Sequence, residues 1–197
     1  MMDHHLIKRT FIFVLSGITL MMLSCSFAWA AGKLEKRSQN HGPPVILTNE
    51  NFFPALVEAI DGAQNEIIMS IFSFKAGKYK RSYPDRIAGH LIQAVKRGVK
   101  VTVVLETTDN QSDTLNIQNR ETGSYLQDNG IMVIFDSPRK TTHTKLIVID
   151  RKKVFLGSHN FTQSALKYNN EISVLLHSPE LADHARSYIM QIIQADK

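Results

Sequence analysis

The chain has one cysteine, Cys25, and one tryptophan, Trp29, and both fall within its first thirty residues. Beyond them no thiol needs protecting and no disulfide is possible, which is compatible with an oxidising compartment without requiring one. The signatures of a bound metal are also missing. There is no His-Glu-x-x-His, no cysteine cluster and no carboxylate-rich loop. Neither an internal repeat nor a low-complexity tract occurs. Charge is moderate: a formal net +5 over 197 residues permits a polyanionic partner without demanding one.

What is present begins with a targeting pattern. Lys8 and Arg9 precede an apolar run from Phe11 to Leu23, then polar Ser24-Cys25-Ser26, then Ala28-Trp29-Ala30 before Ala31. A positive start, an apolar stretch and a small-x-small site predict a secretory signal peptide over 1–30, cleaved after Ala30 and leaving an exported protein. The alternative is an uncleaved membrane anchor, since 11–31 is just long enough to span a bilayer. Cleavage leaves 167 residues, enough for one domain with a sizeable core. Removing Lys8, Arg9 and Asp3 brings the formal charge to +4. A polar lead-in over 31–44, with Gly42-Pro43-Pro44, precedes a single domain over 45–197.

Helical and strand periods alternate along that domain. Short strands are predicted over 45–47, 67–74, 99–105, 131–135, 145–149, 154–156 and 172–176. Helices are predicted over 53–63, 84–97 (closed by Gly98), 121–128 and 162–166. A last helix starts from Ser178 as N-cap with Pro179 at its first position, and carries Leu181, Ala185, Ile189 and Ile192 on one face. Residues 107–118 read as a polar loop. The pattern predicts an α/β fold, an α-β-α sandwich with a largely buried sheet flanked by helices.

The chemistry is concentrated in His143-x-Lys145-x4-Asp150-x6-Gly157-Ser158-x-Asn160. Chance composition supplies six residues at these offsets in only on the order of a few chains per million, so a stray surface His and Lys is a poor account. His143 and Lys145 are two apart at a strand start and project from one face, as do Ser158 and Asn160. If 145–149 and 154–156 form a hairpin turning at Arg151-Lys152, partners sum to about 303. Lys145 then faces Ser158, and His143 faces Asn160. The clustering survives a slip of a residue or two, whereas those pairs do not. Imidazole is a good nucleophile near neutral pH, and Lys, Ser and Asn supply the electrostatic stabilisation phosphoryl transfer needs. Gly157-Ser158-His159-Asn160 is not the Gly-x-Ser-x-Gly elbow of serine hydrolases. His159 points away from Ser158 and reads as a neighbour of the site. Ser164, His177 and His184 read as solvated or core-edge residues.

In these residues the chain resembles the phospholipase D superfamily, specifically its small single-motif branch of bacterial Nuc-type endonucleases, over about 45–193. The resemblance implies a mixed sheet and His143 as a nucleophile forming a phosphohistidine. Lys145, Ser158 and Asn160 would grip the non-bridging oxygens. Glu171 would orient the His143 ring, and Asp150 would fix a turn rather than touch substrate. No metal or other cofactor is implied, and two copies of the motif would meet across a two-fold axis in a homodimer. Arg151 stands where relatives often have glycine, which leaves the hairpin geometry open.

Around the motif, Lys75, Lys78, Lys80 and Arg81 interleave with Tyr79 and Tyr83. This loop suits phosphate contact and base stacking, and a solvated loop explains it equally well. Arg139 and Lys140 are placed to guide a phosphate towards His143, while Arg151-Lys152-Lys153 read as a solvated turn. The expectation is a metal-independent phosphodiesterase acting on nucleic acid, DNA or RNA, with no stable membrane partner after signal removal. Two alternatives stand beside it: a lipid phosphodiesterase of the same superfamily, and a nucleic-acid-binding module whose catalysis has lapsed.

Overall fold

The computed structural model describes residues 42–195, so the export segment 1–30 and most of the lead-in 31–44 lie outside the described residues. Seven strands form one sheet: β1 (Val45–Thr48), β2 (Glu66–Ile71), β3 (Lys100–Leu105), β4 (Met132–Phe135), β5 (Lys145–Ile149), β6 (Lys153–Gly157) and β7 (Ile172–His177). Their order across the sheet is β1-β7-β6-β5-β2-β3-β4. β2, β3 and β4 are mutually parallel, whereas β5, β6, β7 and β1 join by antiparallel pairings. The helices are α1 (Phe52–Asp61), α2 (Tyr83–Lys96), α3 (Thr114–Asp128), α4 (Gln163–Lys167) and α5 (Pro179–Gln194). This is the expected α/β sandwich with a mixed sheet.

Alternation along the strands divides the core. Ile67, Met69, Ile71, Val101, Val103, Ile147 and Phe155 meet Leu56 and Ile60 of α1 and Ile87 and Leu91 of α2 on one face. Ile68, Val104, Leu146, Val148 and Val154 meet Ala182 and Ile189 of α5 on the other. Central strands covered on both sides lose the polar alternation of a half-exposed strand, and all five residues of β5 are buried. Among the described residues no helix is long and apolar enough to cross a membrane.

Two elements differ from expectation. α3 begins at Thr114, inside the stretch that reads as a loop. Asp113 caps it by accepting the Leu115 N–H at 3.0 Å. Its inward face carries buried Asn116, which donates to loop carbonyls at Thr108 and Asn110, and Asn119 and Thr122, which bond to backbone just past β2, instead of packing as apolar groups. A helix that buries amides has no hydrophobic period to read.

The β5–β6 hairpin is the second. Leu146 pairs with Leu156 and Val148 with Val154, so partners sum to 302. The expected pairings therefore shift by one residue, and Lys145 falls opposite Gly157. The turn is Asp150-Arg151, closed by Lys152 N–H to the Ile149 carbonyl at 3.0 Å. Both central residues of this β-turn have positive φ, 52° and 53°, as a primed turn requires, and Lys152 is a third loop residue before the Ile149–Lys153 pair. Left-handed backbone costs a non-glycine residue roughly 1–2 kcal/mol. Anchoring offsets that cost here. The Asp150 carboxylate accepts N–H groups from Gln64 (2.9 Å), Asn65 (2.7 Å) and Glu66 (3.0 Å), and Arg151 pairs with Asp183 at 2.7 Å.

Candidate active site at one edge of the sheet

β1, β2, β3, β4 and β6 finish, and β5 and β7 start, at the same edge of the sheet. Phe72, Glu106, Asp136, His143, Ser158 and Glu171 each stand one or two residues outside a strand there. Residues spread over a hundred positions of sequence thus share one surface.

His143 is exposed, and its ring meets Phe72 edge-on with centroids 4.4 Å apart. Lys145 is only 7% exposed. Its ammonium donates to the His143 carbonyl at 3.1 Å and lies 4.8 Å from the centre of the Phe72 ring. Burial pulls the Lys145 pKa below its ordinary value, and the nearby Glu171 charge opposes that. Phe72 therefore contacts both motif side chains, a role no sequence period signals.

Gly157 is required by space. A Cβ there would lie 2.4 Å from Ser173 Cα and 2.5 Å from the Ile172 carbonyl oxygen. That close approach brings Ser158 onto β7, where its hydroxyl accepts the Ile172 N–H at 3.0 Å and donates to Glu171. Asn160 has a buried Oδ1 without a hydrogen-bond partner among the described residues. That oxygen is an acceptor and cannot pair with a phosphate oxygen; only the Nδ2 hydrogens of this amide can donate to one. His159 is fully buried and stacks on Phe52 at 4.2 Å. Its Nδ1 meets Ser173 Oγ at 2.7 Å and its Nε2 the Asn49 carbonyl at 3.1 Å. Burial pulls its pKa down, so it is a neutral support beneath the site.

One expected role changes in this geometry. Glu171 does not bond to His143 within the chain; Ser158 and Asn169 occupy its carboxylate. β6 lies between β5 and β7, and two strand spacings separate the two residues by roughly 10 Å. Asp150 lies at the opposite end of β5 from Lys145, roughly 17 Å away at about 3.3 Å per residue. It builds the turn and reaches no phosphate bound at His143.

Of the basic residues, Lys140 lines a cavity of about 260 Å³ together with Thr142 and His143, and Arg139 is exposed beside it without lining it. Lys75 lines a different pocket, of about 190 Å³, with Lys78, Tyr79 and Gln163. A third cavity, of about 500 Å³, runs from His143 and Lys145 along Leu156, Leu176, Leu181 and Tyr188, and it is largely apolar. Among the described residues no three His, Cys, Asp or Glu side chains are grouped closely enough to hold a metal ion.

The family model of the phospholipase D-like domain, described for cardiolipin synthase, matches residues 56–193. The chain belongs to the phospholipase D superfamily. A phospholipase D from Rickettsia prowazekii is 34% identical over 129 residues, covering 65% of this chain and 56% of the relative. A polyphosphate kinase from Vibrio vulnificus is 32% identical over 130 residues, 61% of this chain and 18% of its own length. Among solved structures, the phospholipase D family member Nuc from Salmonella typhimurium superposes with a TM-score of 0.62 at 27% identity, covering 76% of this chain and 94% of that one. NucT from Helicobacter pylori shares the fold with a TM-score of 0.61 at 21% identity, over 77% and 96% of the two chains. This phospholipase D-like domain thus spans little more than half the length of its Rickettsia relatives and nearly all of Nuc.

Proposed function

We propose that this protein is a metal-independent phosphodiesterase that cleaves nucleic acid, an endonuclease with little sequence preference. The observation that carries the reading is the sheet edge itself. An exposed imidazole, a buried lysine and the Ser158 hydroxyl stand at the same end of the sheet, with the Asn160 amide two residues beyond Ser158, and this grouping supports binding of a phosphodiester. His143 attacks phosphorus and the P–O bond to the leaving oxygen breaks, giving a phosphohistidine. Water then attacks that intermediate and releases His143 with a phosphomonoester. Lys145, Ser158 and Asn160 stabilise the charge on the non-bridging oxygens. The leaving oxygen needs a proton from a separate group. The chain carries one His-x-Lys motif, so the proposed working unit is a homodimer in which two motifs share one composite site. The near-complete coverage of Nuc supports this branch over the longer relatives.

A second reading has its own observation. The apolar groove beside His143, with Leu156 and Leu181 48% and 45% exposed, would suit an acyl chain and hence a lipid phosphodiester. In a dimer the same groove would be covered by the second copy. Incubating the purified mature protein with plasmid, RNA or phospholipid vesicles in excess EDTA separates the readings. Nucleic-acid cleavage is expected. Release of phosphatidic acid with plasmid intact would replace the assignment by the lipid one, and binding of nucleic acid without cleavage would mean lapsed catalysis. Activity lost to EDTA and restored by a divalent ion would overturn the metal-independent mechanism.

Export is likewise proposed, on the N-terminal pattern alone. Protein made in an exporting host should start at Ala31 by intact mass. Full-length chain recovered in membranes would mean an anchor.

A further inference from the structure

One residue past the adjacent parallel strands β3 and β4 stand two carboxylic side chains outside the motif. Glu106 is 2% exposed and Asp136 3%, and a side-chain hydrogen bond joins them. Two carboxyl groups hold such a bond when one carries the proton, because two carboxylates that close repel. Both also grip backbone. Asp136 Oδ1 accepts the Thr107 N–H at 2.9 Å, and Glu106 Oε2 accepts the Thr142 N–H at 2.6 Å. Asn119 of α3 donates to the Glu106 carbonyl at 2.9 Å, tying this corner to the helix.

Thr142 immediately precedes His143. On the other side of the nucleophile, the Thr144 carbonyl accepts the Phe72 N–H at 2.9 Å, and its hydroxyl meets Ser70 Oγ at 2.5 Å. The His143 backbone is therefore clamped from two directions, by β2 and by the carboxyl pair. Before Thr142 the segment is loosely held: the internal bonds at Lys140 and Arg139 are both 3.4 Å.

We infer that Glu106 is a positioning residue for His143, fixing the nucleophile's backbone through Thr142 while a proton shared with Asp136 keeps that grip in place. Burial pushes the Glu106 carboxyl up to about 7; the Thr142 bond pulls it down, and Asp136 and Asp113 push it up. The other polar and charged groups around the pair are Arg120 of α3, which donates to Thr107 Oγ1 at 3.1 Å, and Lys140, His143, Tyr188 and Gln191 across the Asp136 cavity. Loss of the shared proton above neutrality leaves two buried negative charges, and the pair must separate.

The kinetic arm of the test rests on the phosphodiesterase reading, whereas the spectroscopic arm does not. In the mature protein the Thr142 amide resonance should titrate with a midpoint near 7 and stop titrating in Glu106→Gln. Glutamine keeps an acceptor for Thr142 and a donor for Asp136, so Glu106→Gln should retain kcat on bis(p-nitrophenyl) phosphate and hold it above pH 7, where wild type declines. Glu106→Ala should lose kcat by about 100-fold with KM little changed, the scale of a nucleophile displaced by about 1 Å. If Glu106→Ala fails to fold, the Gln variant and the Thr142 titration carry the test. A Thr142 amide that does not titrate, an Ala variant as active as wild type, or a Gln variant as impaired as Ala would each overturn the inference. A titrating Thr142 in a protein that cleaves no phosphodiester would sustain the contact and sink the proposed function.

Discussion

Replacing His143 should cost activity and hardly any stability, because the ring is exposed and meets Phe72 edge-on without a side-chain hydrogen bond among the described residues. His143→Ala is expected to lower turnover by on the order of 10⁴-fold or more, with unfolding free energy within about 0.5 kcal/mol of wild type. Lys145→Ala should lose roughly 10²–10³-fold, the scale of removing one charge-stabilising donor. Acid-labile, base-stable phosphate trapped on histidine during turnover would identify the nucleophile, and its absence under single-turnover conditions would argue against covalent catalysis. Gly157→Ala tests space rather than chemistry. Its Cβ would meet backbone at 2.4–2.5 Å, so β6 must move off β7 and carry Ser158 with it. A denaturant melt should show a loss of about 1–3 kcal/mol, alongside lower kcat.

At the level of elements, α3 divides what sequence revealed from what it hid. Strands β2, β3 and β5 announce themselves because both their faces are apolar, and Ser178 and Pro179 mark the start of α5. The motif residues are legible because six of them stand at fixed offsets that chance composition rarely supplies. Glu106, Asp136, Asn119 and Phe72 are not, since a lone carboxylate, amide or aromatic ring has no offset partner that marks it, and only the shared sheet edge brings them to the site. The hairpin register differs by one from the sequence expectation because Asp150-Arg151 turns without glycine, held by contacts from Gln64, Asn65, Glu66 and Asp183 that lie far away in sequence. Asn119 accepts from Phe74 N–H at 3.0 Å and donates to the Phe72 and Glu106 carbonyls at 2.9 Å each. Asn119→Leu would orphan two buried backbone groups and one half-buried one, so chemical denaturation should reveal a loss of about 3 kcal/mol. The pH dependence of stability has two parts. Glu106 holds its proton up to about 7 against an ordinary 4.5, so its contribution is complete below 4.5 and is lost as pH rises through 7. Denaturation midpoints measured from pH 4.5 to 8 should fall less in Glu106→Gln than in wild type. Burial would raise the Asp150 carboxyl, but the three N–H bonds and Lys152 together hold it below its ordinary 3.8. Its contribution is therefore present above 3.8 and lost as pH falls through its folded value.

For the whole molecule, a formal net charge of +5 is modest, so any grip on a polyanion must come from where the cations sit. Alanine at Lys75, Lys78, Lys80 and Arg81 together should weaken nucleic-acid cleavage and flatten its salt dependence; unchanged cleavage would reduce that loop to solvated surface. Light scattering of the active protein should give twice the monomer mass, and a fully active monomer would contradict the shared site. The convergence of strand ends on one edge has a further consequence. A cut in the exposed stretch 109–112 would leave the entire motif on the second piece, yet β5 would lose β2, β7 would lose β1, and His143 would lose the Glu106 grip. Neither fragment alone should turn over substrate. Mixing the two should restore turnover only when they reassemble across the middle of the sheet, which would make this enzyme's own chemistry a reporter of split-protein reconstitution.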